Sequence, residues 1–314
     1  MSSLEDHLNW LNLHNEETID PERPILCKGH KHPYELYGVK YHCWKKNGHG
    51  YMKLRNAIKQ SCDIYFYEMA RLLGVDRLAI IAKRYGLGSN ILKDLYFDEK
   101  KGVVPNTFWK KNAIGKSWYL GETVINGIGQ GYIQTTPLQL CLMTAQIANG
   151  GYKIKPHIIQ DESISYENVK LKIANQFIKS PLNFSDEDDQ KYLVDREYRL
   201  YERLYKDPRN INFVKDAMFG STNEQYGTSY KSRYDDIKYQ YAGKTGTSQI
   251  NYSVDDELNY VSSFAGYFPA ENPKYSCIVV IDKPDKSRQI YGADVAGPVF
   301  KSIAQNVLTE TPYI

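Results

Sequence analysis

The hydrophobic pattern predicts helices early in the chain and strands late. Apolar residues recur every three to four positions over Met52–Leu73 and again over Asp76–Tyr85, a spacing typical of helices. The polar first 50 residues keep such spacing only around Leu8 to Leu13, and residues 96–118 have the composition of a loop. Predicted strands are Tyr152–Ile159, Tyr239–Ala242, Tyr260–Tyr267 and Tyr275–Ile281, and a last helix is predicted over Pro298–Leu308. This order indicates an α+β fold in which helices flank an antiparallel sheet.

The clearest local signal belongs to a helix near the middle of the chain. Thr136 is a good N-cap, Pro137 suits the first helical position, and Gln139 completes a capping box. Asn149-Gly150-Gly151 is a strong stop signal. Because the segment is apolar on most sides, we expect a buried central helix.

Composition and charge exclude some classes of protein. The chain has 314 residues and a net charge of only +3, which gives no electrostatic case for nucleic-acid binding. No stretch has the length and apolarity of a membrane span, and no signal peptide is visible. Residues 160–211 are highly charged and weakly patterned, so we interpret them as a surface insertion.

The cysteines leave several interpretations open. Cys62, Cys141 and Cys277 lie in apolar surroundings typical of small buried residues. Cys27 and Cys43 lie in a histidine-containing segment, where a disulfide, a metal site or two free thiols in a polar loop are all compatible with the sequence. Since the spacing matches no standard zinc pattern, it favours a disulfide or free thiols, and neither a metal nor another cofactor is predicted.

Two short motifs carry candidate chemistry. Ser61-Cys62-Asp63 lies in the first helical pattern, where Ser61 could pass a proton and Asp63 could accept a hydrogen bond from a substrate amide or a lysine. Lys244-Thr245-Gly246-Thr247 follows a predicted strand, whose edge could bind an extended peptide. In that motif the lysine supplies a positive charge or a proton, Thr245 and Thr247 supply hydroxyl groups, and Gly246 allows close approach of a backbone.

Together these motifs resemble two of the three active-site motifs of penicillin-binding proteins. The stretch from His49-Gly50 to Ala148-Asn149-Gly150-Gly151 resembles class B enzymes of the penicillin-binding protein 2 type, which are peptidoglycan D,D-transpeptidases that set cell shape. Its further matching segments are Ala57-Ile58, Ser61–Tyr67, Trp109-Lys110, Ile128–Gly131 and Thr136–Gln139. Segments near the C-terminus look more like the septal, cell-division transpeptidases, namely Ser263–Pro269, Tyr291-Gly292 and Val295–Phe300.

The resemblance implies a penicillin-recognising, β-lactamase-like fold and a serine acyl-enzyme mechanism. It implies catalytic roles for Ser61 and Lys244 and substrate-binding roles for Asp63 and for Thr245, Gly246 and Thr247. The implied ligands are D-Ala-D-Ala stem peptides and β-lactams, and the implied partners are proteins of cell-wall elongation or division. The implied location is the periplasmic face of the bacterial inner membrane.

The third motif of that family, Ser-x-x-Lys, does not occur in this sequence. No serine is followed by lysine at the third position, and Ser2 and Ser3 are followed by Glu5 and Asp6. We therefore expect residues 1–314 to be a partial transpeptidase domain without its nucleophile motif, pedestal domain or membrane anchor. Two alternatives are a catalytically inactive binding module of the same fold and a gene fragment without function. A β-lactamase is disfavoured, because no further carboxylate motif for deacylation is visible.

Overall fold

A computed structural model describes residues 20–92, 99–156, 202–250, 259–285 and 290–310. The segment around Leu8 to Leu13 therefore lies outside the described residues, as does most of the charged segment 160–211. The strands are β1 Ile25–Cys27, β2 Tyr34–Leu36, β3 Val39–Tyr41, β4 Gly50–Met52, β5 Ala242–Ile250, β6 Asn259–Phe268 and β7 Tyr275–Asp282. The helices are α1 Leu54–Gln60, α2 Asp63–Leu73, α3 Val75–Arg84, α4 Thr107–Ile114, α5 Leu120–Asn126, α6 Pro137–Ala148, α7 Pro208–Asn223 and α8 Gly292–Glu310.

The main sheet is antiparallel, with the strand order β5-β6-β7. Side chains alternate across β6: Phe264 and Phe268 pack towards Phe300 of α8, whereas Tyr267 packs towards Met218 of α7 and Ala148 of α6. Helices therefore cover both faces of the sheet, which confirms the predicted α+β class with an antiparallel sheet flanked by helices.

The core on the α8 face is aromatic. The ring centroid of Phe300 lies 4.6 Å from that of Phe264 and 5.1 Å from that of Tyr241. All three side chains are fully buried, and the Tyr241 hydroxyl donates to the Ser232 carbonyl oxygen at 2.7 Å. This packing fixes the strand that carries Lys244 against the C-terminal helix.

The region before α1 holds four short strands that the sequence pattern did not predict. β1 pairs antiparallel with β4, and β2 pairs antiparallel with β3. Each strand has three residues, which is too few for a period of two to stand out. These pairs pack against α2 and form a second core with it.

The predicted helix over Met52–Leu73 is wrong in two respects: Met52 ends strand β4, and two helices occupy the rest. The first ends at Gln60 and the second begins at Asp63, because Ser61 adopts the left-handed conformation, with φ 53° and ψ 53°. Serine rarely adopts this conformation, so the break leaves no mark in the sequence. The helix predicted over Asp76–Tyr85 is confirmed, since α3 spans Val75–Arg84.

The predicted loop over 96–118 is also wrong in its described part, which contains helix α4. The Asn106 side chain caps this helix by accepting a hydrogen bond from the Trp109 amide at 2.7 Å, and Gly115 ends it in the left-handed region. The capped helix beginning at Pro137 is confirmed, with the capping box between Thr136 and Gln139 present.

The C-terminal third keeps the predicted strands but shifts some boundaries. The first strand begins at Ala242 rather than Tyr239 and runs to Ile250, so the Lys244–Thr247 motif lies inside it. The final helix begins six residues before Pro298. Helix α7 was not predicted, and the described part of Tyr152–Ile159 shows only an isolated bridge from Tyr152 to Arg203. No helix within the described ranges is both long and apolar enough to cross a membrane.

Candidate functional site

Ser61 and Lys244 are brought together from positions 183 residues apart. Lys244 points from β5 towards the α1–α2 junction, where its ammonium donates to the Ser61 hydroxyl oxygen. The left-handed turn at Ser61 directs the side chain there, because it stops α1 and allows the Cys62 amide to bond back to the Ala57 carbonyl oxygen at 3.0 Å. The two predicted catalytic residues therefore form one site.

The Lys244 ammonium is poised for exchange of a proton. Burial lowers its pKa to about 8, and the Asp63 carboxylate opposes this shift. The ammonium also donates to the Thr245 carbonyl oxygen at 3.1 Å. Because a pKa of about 8 lies near neutrality, Lys244 can supply both a positive charge and a transferable proton.

Asp63 faces Trp44, a residue that the motifs did not identify. Its carboxylate accepts a hydrogen bond from the Trp44 amide at 2.8 Å, and burial raises its pKa. The Trp44 indole N–H donates to the Ser61 carbonyl oxygen at 2.7 Å, while almost half of the side chain stays exposed. Trp44 thus holds both ends of the Ser61–Asp63 segment at the rim of the site.

The hydroxyl groups of β5 join neighbouring elements. The Thr245 hydroxyl donates to that of Thr228 at 3.2 Å, and the Gly292 amide of α8 donates to the Thr247 hydroxyl at 3.0 Å. A Cβ atom at Gly246 would lie 2.6 Å from the Ser263 hydroxyl oxygen. The glycine therefore also allows β5 to lie close against β6.

A group of charged side chains supports α1 from behind. Lys59 and Arg55 of α1 both contact the Glu224 carboxylate, at 2.7 and 2.6 Å, and Arg55 also pairs with Asp216 of α7. The hydrogen bond from Arg55, and to a lesser extent that from Lys59, lowers the pKa of Glu224 to about 2, although burial acts to raise it. The Thr228 amide completes this contact by donating to the Lys59 carbonyl oxygen at 3.3 Å.

A second group of reactive side chains lies directly behind Ser61. The three thiols of Cys27, Cys43 and Cys62 and a ring nitrogen of His49 all lie within 4.8 Å of one another. The three cysteines are buried, and His49 Nδ1 lies 3.4 Å from Cys43 Sγ and 3.6 Å from Cys27 Sγ. The three cysteines are free thiols, and they lie in a hydrophobic core. Of the interpretations left open for Cys27 and Cys43, free thiols in a polar loop therefore do not describe their surroundings.

This group, which we call the thiol cluster, is held by closely packed backbone. Gly29 and Gly48 have φ values of +75° and +76°, and a Cβ on Gly48 would lie 2.3 Å from the Cys27 carbonyl oxygen. The His49 amide donates to that same oxygen at 3.0 Å. Hydrogen bonds from Cys43 and then Cys62 lower the pKa of Cys27.

The sheet, the helices on its two faces and the Ser61–Lys244 contact define a penicillin-recognising transpeptidase fold. The family profile described as "Penicillin binding protein transpeptidase domain" matches residues 13–305. The chain therefore belongs to this family.

Its relatives among known proteins include peptidoglycan D,D-transpeptidases named MrdA. The chain is 28% identical to the peptidoglycan D,D-transpeptidase MrdA of Salmonella typhimurium over 280 residues, covering 85% of this chain and 40% of the relative. It is 29% identical to MrdA of Acinetobacter baumannii over 274 residues, covering 83% and 36%. The chain thus spans well under half the length of these relatives.

Two solved structures of penicillin-binding protein 2 are also similar to the chain. Pseudomonas aeruginosa PBP2 in complex with WCK 5153 matches with 30% identity and a TM-score of 0.71, covering 93% of this chain and 55% of that one. The PBP2 of a PBP2–MreC complex from Helicobacter pylori matches with 25% identity and a TM-score of 0.71, covering 98% and 48%. The predicted family and fold are confirmed.

Proposed function

We propose that this domain binds the D-Ala-D-Ala end of peptidoglycan stem peptides, and β-lactams, in the groove between Ser61 and β5. The observation that carries the proposal is the contact of the Lys244 ammonium with the Ser61 hydroxyl, on a strand edge that also presents Thr245 and Thr247. The ammonium and the two hydroxyl groups suit a carboxylate, and Asp63 lies within the same site.

In a transpeptidase that holds the seryl nucleophile, these residues would relay a proton. Lys244 donates to Ser61 Oγ, so the hydroxyl hydrogen of Ser61 is free to point at a leaving amine. As that amine takes the Ser61 proton, Lys244 would return one to Ser61 Oγ. Acyl transfer also needs the nucleophile, and this sequence contains no Ser-x-x-Lys. Binding without turnover is therefore what we expect of these 314 residues.

Calorimetric titration with diacetyl-L-Lys-D-Ala-D-Ala tests the binding. We expect reversible binding that Lys244→Met abolishes and that Lys83→Met, at an exposed position of α3, leaves unchanged. Intact-mass analysis with benzylpenicillin should show no covalent adduct. An adduct would contradict the expected lack of turnover, and digestion would identify the reactive serine.

A melting curve separates this proposal from its rivals. A cooperative transition together with ligand binding supports the proposal, and a cooperative transition without binding would indicate that the groove no longer serves recognition. A broad transition or none would indicate a fragment with an open core. By family, we place the domain at the periplasmic face of the inner membrane, with cell-wall elongation proteins such as MreC as candidate partners.

We propose in addition that the thiol cluster holds one structural Zn²⁺ ion. A tetrahedral ion with bonds of about 2.3 Å to sulfur and about 2.1 Å to nitrogen sets sulfur and nitrogen about 3.6 Å apart, and two sulfurs about 3.8 Å apart. The His49 nitrogen is 3.4 and 3.6 Å from two of the sulfurs. His49 Nδ1 is therefore the nitrogen that faces the sulfurs, while Nε2 is buried and has no hydrogen-bond partner among the described residues.

Metal analysis of the purified chain tests this second proposal. We expect about one zinc per chain, lost in Cys43→Ala and retained in the matched control Cys277→Ala, whose thiol lies in another core. Folded protein without zinc, or a Cys27–Cys43 disulfide found by peptide mapping, would contradict it.

A further inference from the structure

The free edge of β5 presents backbone carbonyl groups to the site. Among the described strands, β5 pairs with β6 alone and so leaves one edge open. The Thr247 carbonyl oxygen points away from β6, since it accepts a hydrogen bond from the Gln130 side chain, which lies outside the sheet. Thr245, two positions earlier on β5, has the same orientation, and its carbonyl oxygen accepts a hydrogen bond from Lys244 of the same strand. Alternate carbonyls of an open edge are the groups with which an extended peptide pairs.

Both carbonyls are already occupied within the chain. Lys244 Nζ donates to the Thr245 oxygen at 3.1 Å, and the Gln130 side-chain amide donates to the Thr247 oxygen at 3.3 Å. The Gln130 bond spans the site from a different element, 117 positions earlier in the chain. It closes the part of the edge that lies beyond the lysine.

The backbone around Gln130 is built to present this side chain. Gly129 and Gly131 on either side have φ values of +76° and +82°, conformations that suit glycine. The Gln130 amide donates to the Ile125 carbonyl oxygen at 3.2 Å, which ties the loop to the end of α5. The side chain is half-buried and neutral, so it can leave without uncovering a charge.

We propose that Gln130 occupies the place of a substrate peptide N–H on the Thr247 carbonyl group and so limits the affinity of every ligand that must displace it. A bound stem peptide displaces the Gln130 amide and replaces its hydrogen bond with one of its own. A ligand without an N–H at that point loses the bond and gains none in return. This inference rests on the proposed binding of stem peptides and adds a side chain of the domain that competes with the ligand for one backbone carbonyl group.

The size of the effect follows from the bond that is exchanged. A neutral hydrogen bond contributes a net 0.5 to 1.5 kcal/mol in typical proteins, equivalent to about a twofold to tenfold change in a dissociation constant. Removing the Gln130 side chain leaves the Thr247 carbonyl open, so we expect the peptide to bind more tightly by that factor.

The test compares Gln130→Ala with Gln134→Ala, a matched change at an exposed position of the same connection. Calorimetry would measure diacetyl-L-Lys-D-Ala-D-Ala and two analogues, each N-methylated at one backbone amide. We expect Gln130→Ala to bind the parent peptide about twofold to tenfold more tightly and Gln134→Ala to bind like wild type. The analogue that lacks the N–H should bind wild type more weakly than the parent peptide does, and its affinity should rise by the same factor in Gln130→Ala.

Three outcomes would count against the inference. Equal or weaker binding of the parent peptide by Gln130→Ala, with wild-type binding intact, overturns it and leaves the proposed function standing. Equal binding of the parent and both analogues by wild type would also overturn it, because no ligand N–H would then replace the Gln130 amide. Binding by neither protein, with cooperative melting of both, contradicts the proposed function and the inference with it.

Discussion

The left-handed conformation of Ser61 leads to a stability prediction of unusual sign. Ser61 has φ 53° and ψ 53°, a region in which a side chain costs about 1 kcal/mol or more relative to glycine. Changing Ser61 to Ala removes the hydroxyl and keeps the strain, whereas changing it to Gly removes both. The pair therefore isolates the strain, because the contact with Lys244 is lost equally in each variant.

We expect Ser61→Gly to be more stable than Ser61→Ala by about 1 kcal/mol. In a chain of 314 residues, with an unfolding entropy of about 2.1 cal/mol/K per residue, that difference corresponds to roughly 1.5 °C in melting temperature. Asn56, an exposed residue inside α1, is the matched control. There glycine is expected to be less stable than alanine by about 0.5 to 1 kcal/mol, because an ordinary helical position disfavours it.

Urea unfolding at 25 °C, followed by circular dichroism, measures both pairs. Opposite signs at the two positions would show that the proposed proton relay sits on a strained backbone that stability alone would not select. Ser61→Ala as stable as Ser61→Gly, with the expected order at Asn56, would refute the reasoning. It would mean that Ser61 does not hold the left-handed conformation in solution.

Three further predictions concern pH and backbone packing. Arg55 helps to lower the pKa of Glu224 from 4.5 to about 2. The stabilising effect of the Glu224 carboxylate is therefore present above pH 4.5 and lost as the pH falls towards 2. Glu224→Gln should make stability fall less steeply at acid pH, and an unchanged acid dependence would contradict this. The pKa of Lys244 near 8 predicts that carboxylate ligands bind less tightly as the pH rises through 8, and calorimetry showing constant affinity from pH 7 to 9 would oppose it. Gly48→Ala places a Cβ 2.3 Å from the Cys27 carbonyl oxygen and should abolish zinc retention. Gly38 has a similar φ but open space around it, so Gly38→Ala should retain zinc. Metal analysis of the two variants tests this.

Local signals in the sequence were enough wherever the structure is locally determined. The Thr136–Gln139 capping box marks a helix start because its hydrogen bonds join residues only three positions apart. The strands β6 and β7 are long enough for their composition to identify them. In contrast, helix α7 was missed although Asp207 caps it and Pro208 stands at its first position, because its first residues lie within the charged segment 160–211.

The site residues that the sequence did not reveal depend on long-range contacts. Trp44, Gln130 and Thr228 act through hydrogen bonds to residues 17 to 117 positions away, and nothing in their neighbours indicates those partners. The family resemblance supplied Ser61 and Lys244, but spacing alone could not show that they meet.

The sequence did not predict the thiol cluster, because its residues are also distant from one another in the chain. Its four residues come from the end of β1, the connection to β4 and the turn between α1 and α2. Cys62 looks like an ordinary core residue until the break at Ser61 turns it towards Cys27. A regular zinc motif would have required at least two ligands on one short turn.

The free edge of β5, with its two hydrogen-bonded carbonyl groups, also affects how readily the domain self-associates in solution. An open strand edge that must accept a peptide is equally able to accept a strand from another molecule, and such pairing is a common route to aggregation. Lys244 and Gln130 donate hydrogen bonds to two of its outward carbonyl groups. Lys244 and Gln130 therefore also disfavour the addition of a strand from a second copy of the domain to this sheet.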